Sequence, residues 1–299
     1  DKEEQSIRTG DVQWSPSAGK RFLATSTPAE TLTPAAYEIQ VAPDNGIFSE
    51  KIPLLTTGLL GFPETNSEKV VDEIQNFWTK ESLYKQFNLT YKRGIILWGP
   101  PGSGKSSIIQ LIMKDVVERN GVVVKFGNPV IFCEGIRKFR EIQPDTPLVV
   151  LMEDIDSILE IYNESEVLNI LDGVNQIDNV VFIATTNYPE NLGARIINRP
   201  SRFDKRFKIG YPNAESRRMY FEYIMGDVQI ELDLNKWVDD TEGFSIAHMK
   251  ELFTAVVILG DSYAEALEVL DSMRESKPDS NNDDDSKNVM GFFPQNRKD

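Results

Sequence analysis

Residues 94–107, "GIILWGPPGSGKSS", decide how this sequence folds. An apolar run leads into a glycine-rich loop, and a lysine and two serines open an amphipathic stretch. The segment from Gly99 to Ser106 fits the spacing G-x-x-x-x-G-K-[S/T], in which a strand, a loop and a helix together bind phosphate. A glycine turn with a chance lysine is the alternative, but it does not account for the flanking strand and helix patterns. The sequence therefore predicts a phosphate-binding loop.

The chemistry of this loop assigns roles to its residues. Glycine at positions 102 and 104 lets the backbone curl so that its N–H groups point at phosphate oxygens. We expect Lys105 to reach the β- and γ-phosphates and the Ser106 hydroxyl to ligate Mg²⁺. The predicted nucleotide-binding residues of the loop are Gly99, Pro100, Pro101, Gly102, Ser103, Gly104, Lys105, Ser106 and Ser107.

A second stretch, "LVVLMEDID" at 148–156, ends an apolar strand in three acids. Ligands of open α/β sheets bind at the carboxyl ends of strands, which is where these acids would lie. A solvated acidic loop is the alternative, but a phosphate-binding loop needs a partner of this kind. By position we assign Glu153 to the Mg²⁺ shell and Asp154 to activation of the attacking water. Asp156 is interpreted as structural, either at a subunit contact or capping the next helix.

Apolar strands alternate with helical patterns through the middle of the chain, which is typical of a parallel sheet with helices on both faces. The predicted fold class is therefore an α/β P-loop module followed by a small helical lid. We predict four regions along the chain. These are an N-terminal extension (1–58), with two short strands around "PDNG", an α/β nucleotide-binding domain (59–210), a helical lid (211–275) and an acidic, disordered tail (276–299).

Composition narrows the function classes. The chain has 299 residues and a net charge of −15, which disfavours nonspecific binding to nucleic acid or anionic membranes. A single cysteine, Cys133, excludes an intrachain disulfide, and a single histidine, His248, excludes the usual Ser-His-Asp triad. No apolar run is long enough to span a membrane. We expect the cytoplasm or another reducing intracellular compartment, and an upstream targeting segment is left open because the sequence does not begin with Met.

From about residue 59 to 270 the chain resembles the AAA+ ATPases, specifically their classical AAA branch. The similarity lies in six stretches: "GLLGFPETNSEKVVDEI", "ESLYKQFNLTYKRGIILWGPPGSGKSS", "LVVLMEDIDSI", "NVVFIATTNYPENL", "INRPSRFDKRFKIGYPN" and "TEGFSIAHMKEL". The resemblance implies that Asn187 is the sensor of the γ-phosphate and that Arg199 and Arg202 are arginine fingers acting in trans. It places Gly61, Ile246 and Ala247 near the adenine. It also implies ATP and Mg²⁺ as cofactors and a homo-oligomer, in this family usually a hexamer.

Plainer interpretations of these residues stay open. Asn187 is also suited to open a turn before Pro189. The basic cluster at 195–208, which contains both arginines, is also compatible with a solvated face or a nucleic-acid patch.

This sequence departs from the family pattern in three places. Glu153 and Asp154 stand in reverse of the usual Asp-Glu order, as in the branch that resembles the mitochondrial chaperone of respiratory complex assembly. The substrate-gripping pore loop would fall near "NPVIFCEG", with Ile131 and Phe132 as candidates. The usual aromatic-glycine pair is absent, and an apolar "VIF" is more typical of a core or strand segment. Ile246 and His248 replace a common Gly and Asp, and His248 is interpreted as a packing or lid residue.

Three functional classes follow from these observations. The family resemblance favours an ATPase that remodels or unfolds a protein substrate. A nucleic-acid motor or loader is disfavoured by the net charge but allowed by the basic cluster. An assembly scaffold in which ATP only switches conformation is the third.

Overall fold

The computed structural model describes residues 13–17, 21–25, 31–42, 46–53, 66–172, 177–197, 202–228 and 232–275. Contacts divide the chain into two units, residues 1–247 and 248–299. The predicted tail, Gly61 and Arg199 lie outside the described residues.

A nine-stranded sheet forms the centre of the first unit, in the order β1-β2-β4-β3-β6-β7-β8-β5-β9. The strands from β3 to β9 in this order pair in parallel, and β1, β2 and β4 pair antiparallel. The strands are β1 (Gln13–Ser17), β2 (Arg21–Thr25), β3 (Ala36–Val41), β4 (Ile47–Ile52), β5 (Lys92–Trp98), β6 (Val122–Lys125), β7 (Leu148–Met152), β8 (Val180–Thr186) and β9 (Lys205–Lys208).

Helices connect the strands and complete the chain. They are α1 (Asn66–Trp78), α2 (Glu81–Gln86), α3 (Lys105–Glu118), α4 (Pro129–Ile142), α5 (Ile155–Ile161), α6 (Glu164–Asp172), α7 (Ala194–Ile197), α8 (Ala214–Met225), α9 (Leu234–Asp240), α10 (Ile246–Phe253) and α11 (Tyr263–Glu275). Helices α8 and α9 belong to the first unit, whereas the sequence placed them in the lid. Met249 and Leu252 of α10 are buried.

The two faces of the sheet carry separate cores, because successive side chains of a strand point to opposite faces. One core packs α1 and α3 against side chains such as Val149 and Val181. The other packs α4, α5 and α6 against Val150 and Phe182. The predicted parallel sheet covered on both faces is confirmed.

The N-terminal strands belong to this sheet, so the predicted domain boundary at residue 59 does not match the structure. Strand β3 pairs in parallel with β6, with Ala36 opposite Val123. The buried Gln143 side chain fixes the approach to β3, because it accepts a hydrogen bond from Leu32 N–H (2.8 Å) and donates one to the Leu32 carbonyl (3.3 Å). These strands extend the nucleotide-binding sheet rather than forming a separate extension.

The pore-loop candidates lie in helix α4. Phe132 is 2% exposed and packs on Phe126, with ring centroids 4.9 Å apart. The Asn128 side chain caps the helix by accepting from Val130 N–H and Ile131 N–H. Phe132 is therefore a core residue of α4 and not a gripping side chain.

Within the described residues, no helix combines the length and the apolar character that a membrane span requires.

Candidate functional site

The phosphate-binding loop lies where three parallel strands end side by side. Strand β8 lies between β5 and β7, with Trp98 opposite Thr186 and Met152 opposite Ala184. Residues 99–104 follow β5 directly, and α3 begins at Lys105. The predicted loop, acids and Asn187 therefore emerge at one edge of the sheet, as ligand sites of open α/β sheets do.

Lys105 lies beneath the loop, 8% exposed. Its Nζ donates hydrogen bonds to the Gly99 carbonyl (2.7 Å), the Pro100 carbonyl (3.0 Å) and Asn187 Oδ1 (2.6 Å). Burial lowers the pKa of Lys105, and the negative charges of Asp154 and Asp156 oppose that shift. All three N–H groups of the ammonium are thus used within the chain, and an arriving phosphate must replace some of these acceptors.

Gly102 makes close contact with the segment that enters α10. Its carbonyl accepts a hydrogen bond from Ile246 N–H at 3.2 Å. Its φ of +72° is left-handed, and a Cβ built there would lie 2.7 Å from Ser245 Oγ and 3.3 Å from the Ala247 Cβ. The region that the resemblance assigns to the adenine therefore touches the tip of the phosphate loop.

We expect Gly102→Ala to weaken nucleotide affinity by about 10-fold or more, since left-handed strain of about 1–2 kcal/mol adds to the clash with Ser245. Titration with a fluorescent ATP analogue measures this. Gly260→Ala is the matched control, because Gly260 also has a left-handed φ of +82° but nothing within 4 Å of the added Cβ. Equal affinities for the two variants would contradict the role of the close contact.

The acids at the end of β7 differ in their surroundings. Glu153 and Asp154 are exposed, and Asp156 is half-buried. Asp154 adopts the left-handed conformation (φ 48°, ψ 60°), and its N–H donates to Thr185 Oγ1 at 3.0 Å. Since Thr185 lies on β8 and is 4% exposed, this bond fixes Asp154 relative to the neighbouring strand.

The hydroxyl and carboxylate side chains at this edge of the sheet suit Mg²⁺. This ion prefers oxygen ligands and is usually held by one or two carboxylates together with substrate phosphates. Ser106 supplies a hydroxyl in the first turn of α3, and Glu153 and Asp154 supply exposed carboxylates. Among the described residues, no group of three or more His, Cys, Asp or Glu side chains is arranged to hold a metal by itself.

Arg202 lies away from solvent in this structure, at 3% exposed. Its Nε and Nη2 donate to the two carboxylate oxygens of Asp172, each at 2.7 Å, and its Nη1 donates to the Arg195 carbonyl. The side chain is therefore held by its own chain, and it would have to leave Asp172 to act on a neighbouring subunit. The finger role of Arg202 stays a prediction.

Among the described residues of the basic cluster, those exposed to solvent are Arg195 on α7 and Lys205, Arg206 and Lys208 on β9. Lys205 pairs with Glu73 (3.6 Å), and Lys208 Nζ lies 5.3 Å from the centroid of the Trp98 ring.

Sequence reasoning missed the residues that support the site. Thr185 anchors Asp154, Ser245 abuts Gly102, and Asp172 binds Arg202. A hydroxyl near the end of β8, beside the predicted acids, was a usable signal for Thr185, because neighbouring parallel strands end together. Ser245 and Asp172 gave no comparable signal.

The fold and the site together define a P-loop nucleotide-binding domain. Residues 95–211 match the model of the "ATPase family associated with various cellular activities (AAA)". This segment of the chain is therefore similar to the ATPase domain of the AAA+ ATPase superfamily.

Three curated relatives illustrate the similarity. "Cell division cycle protein 48 homolog" of Archaeoglobus fulgidus is 27% identical over 57% of this chain and 25% of its own length. "AAA ATPase forming ring-shaped complexes" of Bifidobacterium dentium is 23% identical over 75% of this chain and 45% of its own. "Probable mitochondrial chaperone bcs1" of Schizosaccharomyces pombe is 26% identical over 72% and 49%. The chain thus spans half or less of the length of each.

Proposed function

We propose that this chain binds Mg·ATP at residues 99–107 and hydrolyses it. The observation that carries this proposal is the position of Lys105, buried under the loop, bonded to Asn187 and within the field of Asp154 and Asp156. A cation, an amide and carboxylates around one phosphate position are the groups that phosphoryl transfer to water requires.

The residues divide the work as follows. Lys105 gives up its bond to Asn187 Oδ1 and binds phosphate oxygens, which frees Asn187 to hydrogen-bond the γ-phosphate or the attacking water. Ser106 and Glu153 would hold Mg²⁺, which would supply positive charge to neutralise the charge that develops on the phosphates. Asp154 accepts the proton of the attacking water, and the Thr185 bond keeps its backbone in place. Ile246 and Ala247 border the adenine, together with Gly61.

We further propose that the active form is a homo-oligomer, a hexamer, with Arg199 and Arg202 acting on the ATP of a neighbouring subunit. Relatives described as forming ring-shaped complexes support this proposal. A guanidinium supplied in trans stabilises charge in the transition state and is worth about 10³–10⁵-fold in rate.

The role of Arg202 is tested with two variants that break the same ion pair. Arg202→Ala removes the guanidinium. Asp172→Asn removes the charge of its partner but retains the guanidinium. We expect both to lower the melting temperature, but only Arg202→Ala to lose most phosphate release while still binding ATP. Mixing Arg202→Ala with Lys105→Ala should restore part of the turnover if the arginine acts in trans. Equal turnover losses in Arg202→Ala and Asp172→Asn, without rescue on mixing, would assign Arg202 to stability alone.

The work done with ATP is proposed to be remodelling or unfolding of a protein, in a reducing intracellular compartment. The net charge of −15 and the family support a protein substrate over nucleic acid. Phosphate release is measured with the chain alone, with an unfolded protein and with single- and double-stranded DNA. Stimulation by the unfolded protein is the expected result. Stimulation by DNA alone would indicate the motor or loader, and tight ATP binding with negligible turnover would indicate the switched scaffold.

A further inference from the structure

Asp156 carries a buried oxygen that nothing in the described chain satisfies. Its Oδ1 is closed to solvent and has no hydrogen-bond partner. A buried acceptor without a donor costs free energy, so native structures retain few of them, and functional sites are among the reasons. A purely structural interpretation of Asp156 does not explain the unsatisfied Oδ1. An oxygen that is closed to solvent and has no partner forms neither a subunit contact nor a helix cap.

The position of Asp156 connects this oxygen to the nucleotide site. Asp156 lies in the first turn of α5, which follows Glu153 and Asp154 at the carboxyl end of β7. Its charge acts on the Lys105 ammonium together with that of Asp154. The Ser103 hydroxyl in the phosphate loop is a second orphan, since the residue is 7% exposed and its Oγ also lacks a partner. Unsatisfied groups thus lie on two of the segments that would meet Mg·ATP.

The chemistry of Mg²⁺ explains what an extra carboxylate could accept. This ion keeps an octahedral shell and retains several waters when it is bound by phosphates and a few protein groups. Those waters donate hydrogen bonds and need acceptors. A carboxylate offers about four lone-pair positions. The torsion that turns a carboxylate about Cβ–Cγ is broad, so redirecting Oδ1 has a small energetic cost.

We propose that Asp156 is a positioning residue whose carboxylate accepts hydrogen bonds from the water shell of nucleotide-bound Mg²⁺, alongside Glu153 and Asp154. This inference rests on the proposed function. In the nucleotide-free chain the same carboxylate is held with one oxygen unsatisfied, so the site is destabilised until Mg·ATP arrives. Such a trade of stability for function is common where residues are arranged for catalysis.

The test measures affinity for a non-hydrolysable fluorescent ATP analogue in EDTA and across a Mg²⁺ series, using the full chain. We expect Asp156→Asn to raise the half-saturating Mg²⁺ concentration about 10-fold, the lower end of the effect of removing an outer-shell partner. Affinity in EDTA should not fall, because the variant removes a negative charge near the phosphate position. Asp72→Asn is the control for the lost charge, because Asp72 is exposed on α1.

A second readout is the melting temperature of the nucleotide-free protein. Asp156→Ala removes the unsatisfied oxygen, so we expect the melting temperature to rise by about 2–4 °C even as the Mg²⁺ response weakens. An unchanged Mg²⁺ response in both variants, or an equal loss of affinity with and without Mg²⁺, would overturn the inference and leave the proposed ATPase intact. A wild-type chain whose nucleotide binding ignores Mg²⁺ would overturn both.

Discussion

Lys105→Ala is expected to weaken ATP binding by about 100-fold or more. The ammonium provides charge-assisted hydrogen bonds to phosphate, each worth about 1.5–3 kcal/mol, and two such bonds account for a loss of this size. The structure adds a second cause. Removing Nζ leaves the carbonyls of Gly99 and Pro100 and the amide of Asn187 without their shared donor, so the loop itself loses its support.

The measurement is a titration with a fluorescent ATP analogue, with the melting temperature as a check on folding. Lys114→Ala is the matched control, because Lys114 lies on the same helix, is exposed and has only a 3.9 Å contact with Glu118. Wild-type affinity in Lys105→Ala, with Lys114→Ala also unaffected, would remove the phosphate-loop assignment. A loss in both variants would indicate damage to α3 rather than to the site.

The central strands could be predicted closely because each is a short apolar run with a helix on either side. β7 ends at Met152, directly before the predicted acids, and the helix that starts at Lys105 was also predicted. Burial on both faces of a parallel sheet forces this continuous apolar pattern, so the signal is strong.

The N-terminal strands could not be placed in the same way. Their pattern identified strand-like runs, but pairing of β3 with β6 joins segments far apart in the sequence. Nothing local to either strand specifies that partner. Three other features also depend on contacts between residues that are distant in the sequence. These are the hydrogen bonds of Gln143 to Leu32, the pairing of Arg202 with Asp172 and the burial of Phe132.

Within the site, the sequence identified the chemical groups but not their conformations. The acids, the lysine and Asn187 are brought to one edge of the sheet as expected. The hydrogen bond of Lys105 to Asn187, the sealed oxygen of Asp156 and the left-handed backbone at Asp154 were invisible, because each depends on side-chain packing in three dimensions.

That left-handed backbone offers a physical reason for the reversed Glu-Asp order. Four non-glycine residues in the described chain have a positive φ, and the other three are asparagines. Asp and Asn tolerate this region because their short polar side chains can hydrogen-bond locally, whereas longer side chains pay about 1–2 kcal/mol. A glutamate at position 154 would meet this strain, while Glu153 is free of it.

Asp154→Asn is expected to slow ATP hydrolysis by about 10²–10⁴-fold, the usual contribution of a general base, while ATP binding survives. Asn suits the left-handed region and leaves the backbone bond to Thr185 unchanged, so the variant removes the base and little else. Phosphate release under saturating ATP measures the rate, and the analogue titration confirms that the site is filled. Near-normal turnover would move water activation to another residue.

Asp154→Glu separates reach from backbone conformation. It places at position 154 the acid that most of the family has there. If the left-handed backbone sets the order, this variant should lose about 1–2 kcal/mol of stability and turn over more slowly than the wild type, though faster than Asp154→Asn because a base remains. Glu153→Asp is the matched control, since it changes side-chain length by one methylene at a neighbouring exposed acid without a left-handed backbone. Full stability and faster hydrolysis in Asp154→Glu would show that chain length, and not backbone conformation, limits this site.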